Sequence, residues 1–78
     1  MSDVLSASEI DTWLDSLTEE RQLAVFKSLS RYLSAAEIKR VIAGLEGGES
    51  LLSVHRALGL VKKYYVDIDR VRRLEHSQ

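Results

Sequence analysis

The chain has 78 residues, of which 45% are hydrophobic and 29% are charged, with no proline and no cysteine. This length supports a single domain, 1–78, whose thin core makes oligomerisation a common remedy. The composition favours helix over strand or disorder, so we expect an all-α fold. The lack of cysteine excludes disulfide frameworks, cysteine–zinc sites and thiol catalysis.

The net charge of −1 hides an uneven distribution along the chain. Residues 1–20 hold six acidic and no basic residues (−6), whereas residues 21–78 hold eleven basic and six acidic ones (+5). The stretch 50–78 alone has six basic against three acidic residues (+3). The two halves therefore suit different partners, although acidic residues also complement helix N-termini.

The first residues show no basic segment followed by an apolar run, as a secretion signal would. No stretch approaches the roughly 18 apolar residues that a membrane span needs. We therefore expect a cytoplasmic protein without membrane contact.

A first helix is predicted to begin at Ser6, because Ser6 and Glu9 have the spacing of a capping box. Its apolar residues fall at i, i+3, i+4 and i+7, which places them on one face. Trp13 belongs to this face, so we interpret it as a core or dimer residue and not as a ligand platform. The face consists of Ile10, Trp13, Leu14 and Leu17.

A second helix is predicted to follow almost at once, because Thr18 can cap it and two glutamates occupy its first turn. With Leu17 and Thr18 as the only connection, the two helices form a tight corner or partly merge. The acidic N-terminal helices, residues 1–33, are the predicted dimerisation region. The apolar positions of the second helix are Leu23, Phe26, Leu29 or Ser30, and Leu33.

A third helix is predicted from Ser34, which forms a second capping box with Glu37. Gly47 and Gly48 end it, since glycine adopts the left-handed conformation at no steric cost. No phosphate-binding spacing surrounds these glycines. The apolar face of the third helix comprises Ile38, Val41, Ile42 and Leu45.

A short fourth helix is predicted from the cap at Ser50 to the interruption at Gly59. A fifth helix follows, and the polar tail, residues 75–78, is expected to fray. The chain is thus a bundle of about five helices. The inward residues of the fourth helix are Leu51, Val54 or His55, and Leu58; those of the fifth are Tyr65, Ile68, and Val71 or Arg72.

The region 34–74 resembles the helix-turn-helix units of tryptophan-repressor-like and transposase-type proteins. The resemblance covers Ile38 to Leu74 and centres on Leu58-Gly59-Leu60, where a supporting helix ends in a glycine turn before a basic helix. In such units the second helix enters the major groove of DNA. The resemblance implies that the residues packing the unit together are Val54, Leu58, Leu60, Tyr65 and Ile68.

The same resemblance implies a DNA-binding surface on the last helix. Basic side chains there would release counterions from phosphates and position the protein before any base is read. By the resemblance Val61, Lys62, Lys63, Val66, Asp67 and Arg70 would face the groove, and Arg56, Arg72 and Arg73 would reach phosphates.

Three residues depart from the pattern. His55 stands where these motifs most often have a small residue. Asp67 and Asp69 place negative charge on the predicted recognition helix. One of them could accept a hydrogen bond from cytosine N4, or they could pair with Lys63, Arg70 or Arg73 at i+3 or i+4 spacing.

Catalytic and metal chemistry find no support in the sequence. The two histidines, His55 and His76, are 21 residues apart and lack the close helical spacing of metal ligands. Nothing resembles a nucleophile elbow or a scaffold for a catalytic triad. We expect no enzyme, no catalytic residue, no metal and no cofactor. Of the adjacent Tyr64 and Tyr65, which point about 100° apart on a helix, we assign Tyr65 to the core.

The leading hypothesis is a homodimeric protein that binds double-stranded DNA and regulates transcription, with half-sites about one DNA turn apart. Its predicted dimer surface contains Trp13, Phe26 and Tyr32. The alternative is a protein-interaction module or accessory subunit whose acidic residues 1–20 contact a basic partner. A third possibility combines the two, with the acidic segment covering the basic helix until a partner displaces it.

Overall fold

A computed structural model describes residues 5–76, and the side chains of residues 5–74. This part of the chain is all-α and forms a small bundle, as predicted. The predicted fifth helix is divided in two, which raises the count from five helices to six. The helices are α1 (Ala7–Asp15), α2 (Glu19–Leu29), α3 (Ala35–Glu46), α4 (Leu51–Ala57), α5 (Leu60–Lys63) and α6 (Tyr65–His76).

Both predicted capping boxes are present and explain where α1 and α3 begin. The Ser6 hydroxyl accepts a hydrogen bond from the Glu9 N–H, while the Glu9 carboxylate accepts one from the Ser6 N–H. Ser34 and Glu37 repeat this exchange at α3. Each box satisfies two N–H groups that a helix terminus leaves without a backbone partner. Local sequence alone therefore sets these two helix starts.

The other two predicted caps are also present. The Thr18 hydroxyl accepts a hydrogen bond from the Arg21 N–H, and the Ser50 hydroxyl accepts one from the Ser53 N–H. Residues 16–18 separate α1 from α2, so the connection is a tight corner and the two helices do not merge. At the other end of the chain, α6 runs on to His76, and the rest of the predicted tail, residues 77–78, lies outside the described residues.

One core joins the two halves of the chain. Helix α6 packs against α1 and α2, and α5 packs against α1 and α4. The N-terminal helices therefore share their core with the predicted recognition helix. The buried residues of this main cluster are Ile10, Leu14, Val25, Phe26, Leu29, Leu52, Val61, Ile68 and Val71.

A smaller apolar cluster joins α3 to the C-terminal helices. It contains Val41, Val54 and Leu60, all buried. Helix α4 approaches α3 closely at Gly44, where an added Cβ would lie only 2.7 Å from Cγ2 of Val54. Glycine at this position thus permits the α3–α4 contact, a requirement that the helical pattern of α3 does not reveal.

The residues of the predicted dimer surface are not all exposed. Phe26 is buried in the main cluster, and Trp13 is half-buried and packs against it. Of the three residues predicted for that surface, only Tyr32 is exposed. The prediction was wrong for Phe26 because its face of α2 is covered by the rest of the bundle. None of the described helices has the length and apolar character needed to cross a bilayer.

Candidate nucleic-acid interface

Gly59 lies in the turn between α4 and α5, as the sequence predicts. Gly59 has a φ of 73°, in the left-handed region that side chains other than glycine rarely adopt. Its N–H donates to the Arg56 carbonyl, and its own carbonyl accepts from the Lys63 N–H, both at 3.0 Å. One glycine therefore separates the end of α4 from the start of α5.

The residues predicted to pack this unit together are mostly inside. Val54, Leu60 and Ile68 are buried, and Tyr65 is half-buried against the main cluster. Leu58 was predicted to be inside and is 38% exposed. Beyond the turn, Leu60 takes the place beside Val54 and leaves Leu58 at the surface.

The predicted recognition helix has one residue on the wrong side. Val61 was expected to face DNA, but it is 4% exposed and belongs to the main cluster. It is buried because α5 lies against α1, an arrangement that the local pattern could not show. Lys62, the next residue, is exposed.

The predicted helix is interrupted at Tyr64, whose φ of −113° and ψ of 21° leave helical geometry. The hydrogen bonds continue on both sides, from the Tyr64 N–H to Leu60 and from the Ile68 N–H to Tyr64. The interruption is therefore a bend between α5 and α6, and α6 begins directly after it.

Glu37 of α3 holds the side chains at this bend. Its carboxylate accepts hydrogen bonds from the Lys63 ammonium at 2.7 Å, the Tyr64 hydroxyl at 2.6 Å and the Ser34 N–H at 2.8 Å. These bonds, with that from Lys63 the largest cause, lower the pKa of Glu37 to about 2. The positive charge of Lys63, predicted for DNA, is thus compensated within the chain.

Asp69 is buried and forms a second centre of compensated charge. Arg72 donates from Nε and Nη2 to Oδ1, at 3.0 and 2.7 Å, and Arg73 Nε lies 3.0 Å from Oδ2. Burial opposes ionisation of Asp69, but the hydrogen bonds from Arg72 and the Leu5 backbone outweigh it and lower its pKa. Of the two interpretations of this aspartate, the structure favours pairing over contact with a base. Asp67 is half-buried and forms no ion pair within the described residues.

Arg56 joins α4 to the acidic first helix. Its guanidinium donates from Nε and Nη2 to the two carboxylate oxygens of Asp11, at 2.7 and 3.0 Å. Nη2 also lies 3.2 Å from the carboxylate of Asp15. Two of the acidic residues in the segment 1–20 therefore neutralise a cation that was predicted to reach phosphate.

Two of the predicted cations remain open. Lys62 and Arg70 are exposed and form no ion pair within the part of the chain that the structure describes. Val66, also predicted to face DNA, is exposed between them. Val66 and Arg70 stand four residues apart on one face of α6, and Lys62 lies on α5, on the other side of the bend at Tyr64. We call Lys62, Val66 and Arg70 the open stripe.

His55 is a core residue. Its ring stacks on that of Phe26 with centroids 4.0 Å apart, and Nδ1 lies 2.7 Å from the Leu51 carbonyl oxygen. Burial lowers the pKa of this histidine, so the ring is neutral at pH 7. Where the motif most often has a small residue, this chain places the imidazole of His55 against the phenyl ring of Phe26.

An apolar groove between α2 and α3 was not anticipated. Both helices pack against α4, which forms the floor, and the groove encloses about 230 Å³. Leu23 and Ile42 belong to the predicted apolar faces of α2 and α3, yet they are 55% and 49% exposed. Hydrophobic periodicity identifies an apolar face but not whether the chain itself covers it. The lining of this α2–α3 groove includes Leu23, Leu33, Ile38, Ile42 and Leu51.

No protein-family model matches the chain, and no curated protein or solved structure shows significant similarity to it. Within the described residues, no group of three histidine or acidic side chains is placed to hold a metal ion. The Gly59 turn and the open stripe together form the candidate interface.

Proposed function

We propose that the protein binds double-stranded DNA through the face of α5 and α6 that carries the open stripe. The observation that carries the proposal is the left-handed Gly59 between two short helices, with Leu60 buried beneath and Lys62 exposed directly beyond it. This is the arrangement by which helix-turn-helix proteins insert a helix into the major groove. Regulation of transcription is the function that such binding would serve.

Each residue of the open stripe has a defined role in this proposal. Lys62 and Arg70 contact phosphates or guanine, since both supply donors with a permanent charge. Val66 meets the methyl group of thymine, an apolar contact that distinguishes bases in the major groove. Asp67 is exposed enough to accept a hydrogen bond from cytosine N4.

The remaining predicted contacts are weaker candidates because their charges already have partners. Lys63, Arg56, Arg72 and Arg73 each form an ion pair with a carboxylate of this chain. To contact phosphate, each must share or give up that pair. We therefore assign most of the DNA affinity to Lys62 and Arg70.

A charge-reversal experiment tests the proposal. Binding to a random duplex pool is measured by fluorescence anisotropy for the native chain and for Lys62→Glu/Arg70→Glu. The matched control is Lys39→Glu/Arg40→Glu, which makes the same charge change on exposed residues of α3. Loss of two phosphate contacts should raise Kd on the order of tenfold or more and reduce the salt slope by about 2.

The control separates specific placement from net charge. Equal weakening by both double variants would show that only overall charge matters, and absence of binding by the native chain at low salt would refute the proposal. Selection of bound sequences from the same pool tests base recognition, since a specific protein enriches a motif and a purely electrostatic one does not.

The combined hypothesis, in which the acidic segment restrains the basic one, has a specific contact in its favour. Asp11 and Asp15 hold Arg56 of α4. Deletion of α1 is not a usable test, because Ile10 and Leu14 are part of the core. Asp11→Asn/Asp15→Asn frees Arg56 and should tighten DNA binding about threefold to tenfold; unchanged affinity in the folded variant would contradict it.

Protein association is the second candidate function, and the exposed apolar lining of the α2–α3 groove favours it. Its discriminating test uses the same variant as the DNA experiment. A stoichiometric partner that stays bound to Lys62→Glu/Arg70→Glu, when the native chain shows no salt-sensitive DNA affinity, supports association in place of DNA binding.

A further inference from the structure

The α2–α3 groove lacks an occupant within the described residues. Its two walls are α2 and α3, and Leu51 and His55 of α4 form the floor. Leu23 and Ile42 each leave about half of their side chain in water. Exposed apolar side chains that line one concave surface mark a binding face, whereas scattered ones are ordinary.

The groove has the right form for a helix. Helices α2 and α3 are 11 and 12 residues long, so each wall extends about 16 to 18 Å at 1.5 Å per residue. An amphipathic helix of two to three turns fits such a length and inserts its apolar residues between the walls. The occupant must carry at least one large apolar side chain that is free to enter the groove.

Helix α2 itself carries a charge pattern that is complementary to a second copy. Glu20 and Lys27 lie three residues before and four residues after Leu23, so both share its side of the helix. Both are exposed, and neither forms an ion pair within the described residues. When two α2 helices run antiparallel and cross between Leu23 and Ala24, Glu20 of each copy faces Lys27 of the other.

The same crossing is also sterically favourable. It sets Leu23 of one copy beside Ala24 of the other, a large residue against a small exposed one. A parallel arrangement would instead bring Glu20 against Glu20 and Lys27 against Lys27. Two-fold symmetry makes the contact reciprocal: when α2 of one copy lies over the groove of the second copy, α2 of the second copy lies over the groove of the first.

We infer that the α2–α3 groove is a homodimer interface, in which the antiparallel α2 of a second copy inserts Leu23 and forms two Glu20–Lys27 pairs. This interface does not depend on DNA binding. Exposed apolar residues supply the affinity, and the charge pairs at the rim select the antiparallel orientation. Of the three residues that the sequence predicted for the dimer surface, Phe26 lies at the bottom of this groove, 3% exposed.

The first test is the mass of the full chain in solution, measured by light scattering over a wide concentration range without DNA. The native chain should be a dimer that dissociates on dilution. Leu23→Glu should weaken the dimer about thirtyfold or more, as expected for a central apolar residue. Leu58→Glu is the matched control, since Leu58 is also an exposed leucine but lies outside the groove.

The second test exploits the symmetry of the charge pairs. Glu20→Lys and Lys27→Glu, each alone, place like charges at both pairs and should weaken the dimer on the order of tenfold. An equimolar mixture of the two variants should recover native affinity, because the heterodimer restores both pairs. Positions 20 and 27 are seven residues apart, about 10.5 Å along the helix. They are too far apart to pair within one chain, so the recovery must come from pairs between two chains.

Circular dichroism of each variant separates loss of association from loss of folding. Three results would overturn the inference: a native chain that stays monomeric at every concentration, a dimer that persists in Leu23→Glu, or a mixture of the charge variants that remains as weak as either alone. The first result would leave the groove to a different protein. Failure of DNA binding has no bearing on these readouts.

Discussion

Helices α2 and α3, the α2–α3 hairpin, differ from helices α4, α5 and α6, the C-terminal unit, in which side chains the fold leaves exposed or without an ion pair. The C-terminal unit looks strongly basic in sequence, yet most of its cations are held by carboxylates such as Glu37 and Asp69. In sequence, the apolar residues of the hairpin have the spacing of a buried helix face, yet Leu23 and Ile42 are exposed in the structure. Residue type therefore predicts neither the free charge nor the buried apolar surface of this protein.

The difference has a physical origin in what each region packs against. Glu37 of α3 lies within hydrogen-bonding distance of Lys63 of α5, and the buried Asp69 pairs with Arg72 and Arg73 within α6. Helices α2 and α3 both pack against α4, and the groove between them stays open. The C-terminal unit thus exposes the open stripe, whose cations form no ion pair within the described residues, and the hairpin exposes an apolar groove.

The largest expected effect separates the two faces of α2. Leu29 is fully buried, so Leu29→Ala should lower the free energy of unfolding by about 3 kcal/mol. Leu23→Ala makes the same chemical change at an exposed position and should cost less than about 0.5 kcal/mol. Urea denaturation at a protein concentration where the chain is monomeric measures both. Equal losses would mean that the hairpin does not leave Leu23 exposed.

The next effect tests whether charge in the C-terminal unit is structural. Asp69→Ala removes the acceptor for Arg72 and Arg73 and should destabilise the fold by about 2 to 3 kcal/mol. Asp67→Ala, two residues away, removes a carboxylate without an ion pair among the described residues and should change stability by less than about 0.5 kcal/mol. If both variants unfolded at the same urea concentration, the buried pair would not be a stabilising element.

A smaller effect is expected where the two regions join. Gly44→Ala places a methyl group 2.7 Å from Cγ2 of Val54, a branched side chain with little freedom to move. Overpacking costs about 1 to 3 kcal/mol, and the higher helix propensity of alanine returns up to about 1 kcal/mol. We expect a net loss near 1 kcal/mol by thermal denaturation.

Gly47→Ala serves as the control for this prediction. Its added methyl group would meet the Gly44 carbonyl oxygen at 3.4 Å, an ordinary contact, and its backbone is not in the left-handed region. A stabilised Gly44→Ala variant would show that α4 can move away from α3 without loss.

The last effect is a pH dependence and concerns His55, which lies between α4 and α2. Its pKa in the folded state is lowered by burial from the usual 6.5. As the pH falls below about 6.5, the unfolded chain binds a proton that the folded chain does not, so stability falls with decreasing pH. The slope is at most about 1.4 kcal/mol per pH unit for one proton.

Urea denaturation at several pH values from about 7.5 down to about 5.5 covers this window. His55→Leu should flatten the decline, because it removes the proton-binding group. Glu37 and Asp69 do not obscure it: their lowered pKa values mean that their contribution is lost only below their usual values of 4.5 and 3.8. An unchanged slope in His55→Leu would show that the ring is not held neutral by the fold.

Much of the helical framework could be predicted from the sequence. Ser6, Thr18, Ser34 and Ser50 mark four helix starts, and Gly59 marks the turn, because caps and glycine turns depend on residues within one helical turn. Lys62, Val66 and Arg70 stood among the residues predicted to contact DNA. The sequence could not separate them from the paired cations, since Lys62 and Lys63 are chemically alike.

The rest depended on contacts between distant residues. Lys63 meets Glu37 across 26 positions and Arg56 meets Asp11 across 45, separations that no periodicity describes. Val61 was expected outside and is buried, whereas Leu58 was expected inside and is exposed, for a related reason. Their burial is set by how α5 lies against α1 and by the position that Leu60 takes after the turn.

The sequence by itself determined the helices, their starts and the glycine turn, because these follow from hydrogen bonds and side-chain spacing within a few residues. Only the tertiary structure decided that distant carboxylates neutralise Lys63 and Arg56, and which apolar face stays open. Those outcomes depend on the packing of whole helices, where a carboxylate such as Glu37 or a glycine such as Gly44 acts on residues far along the chain.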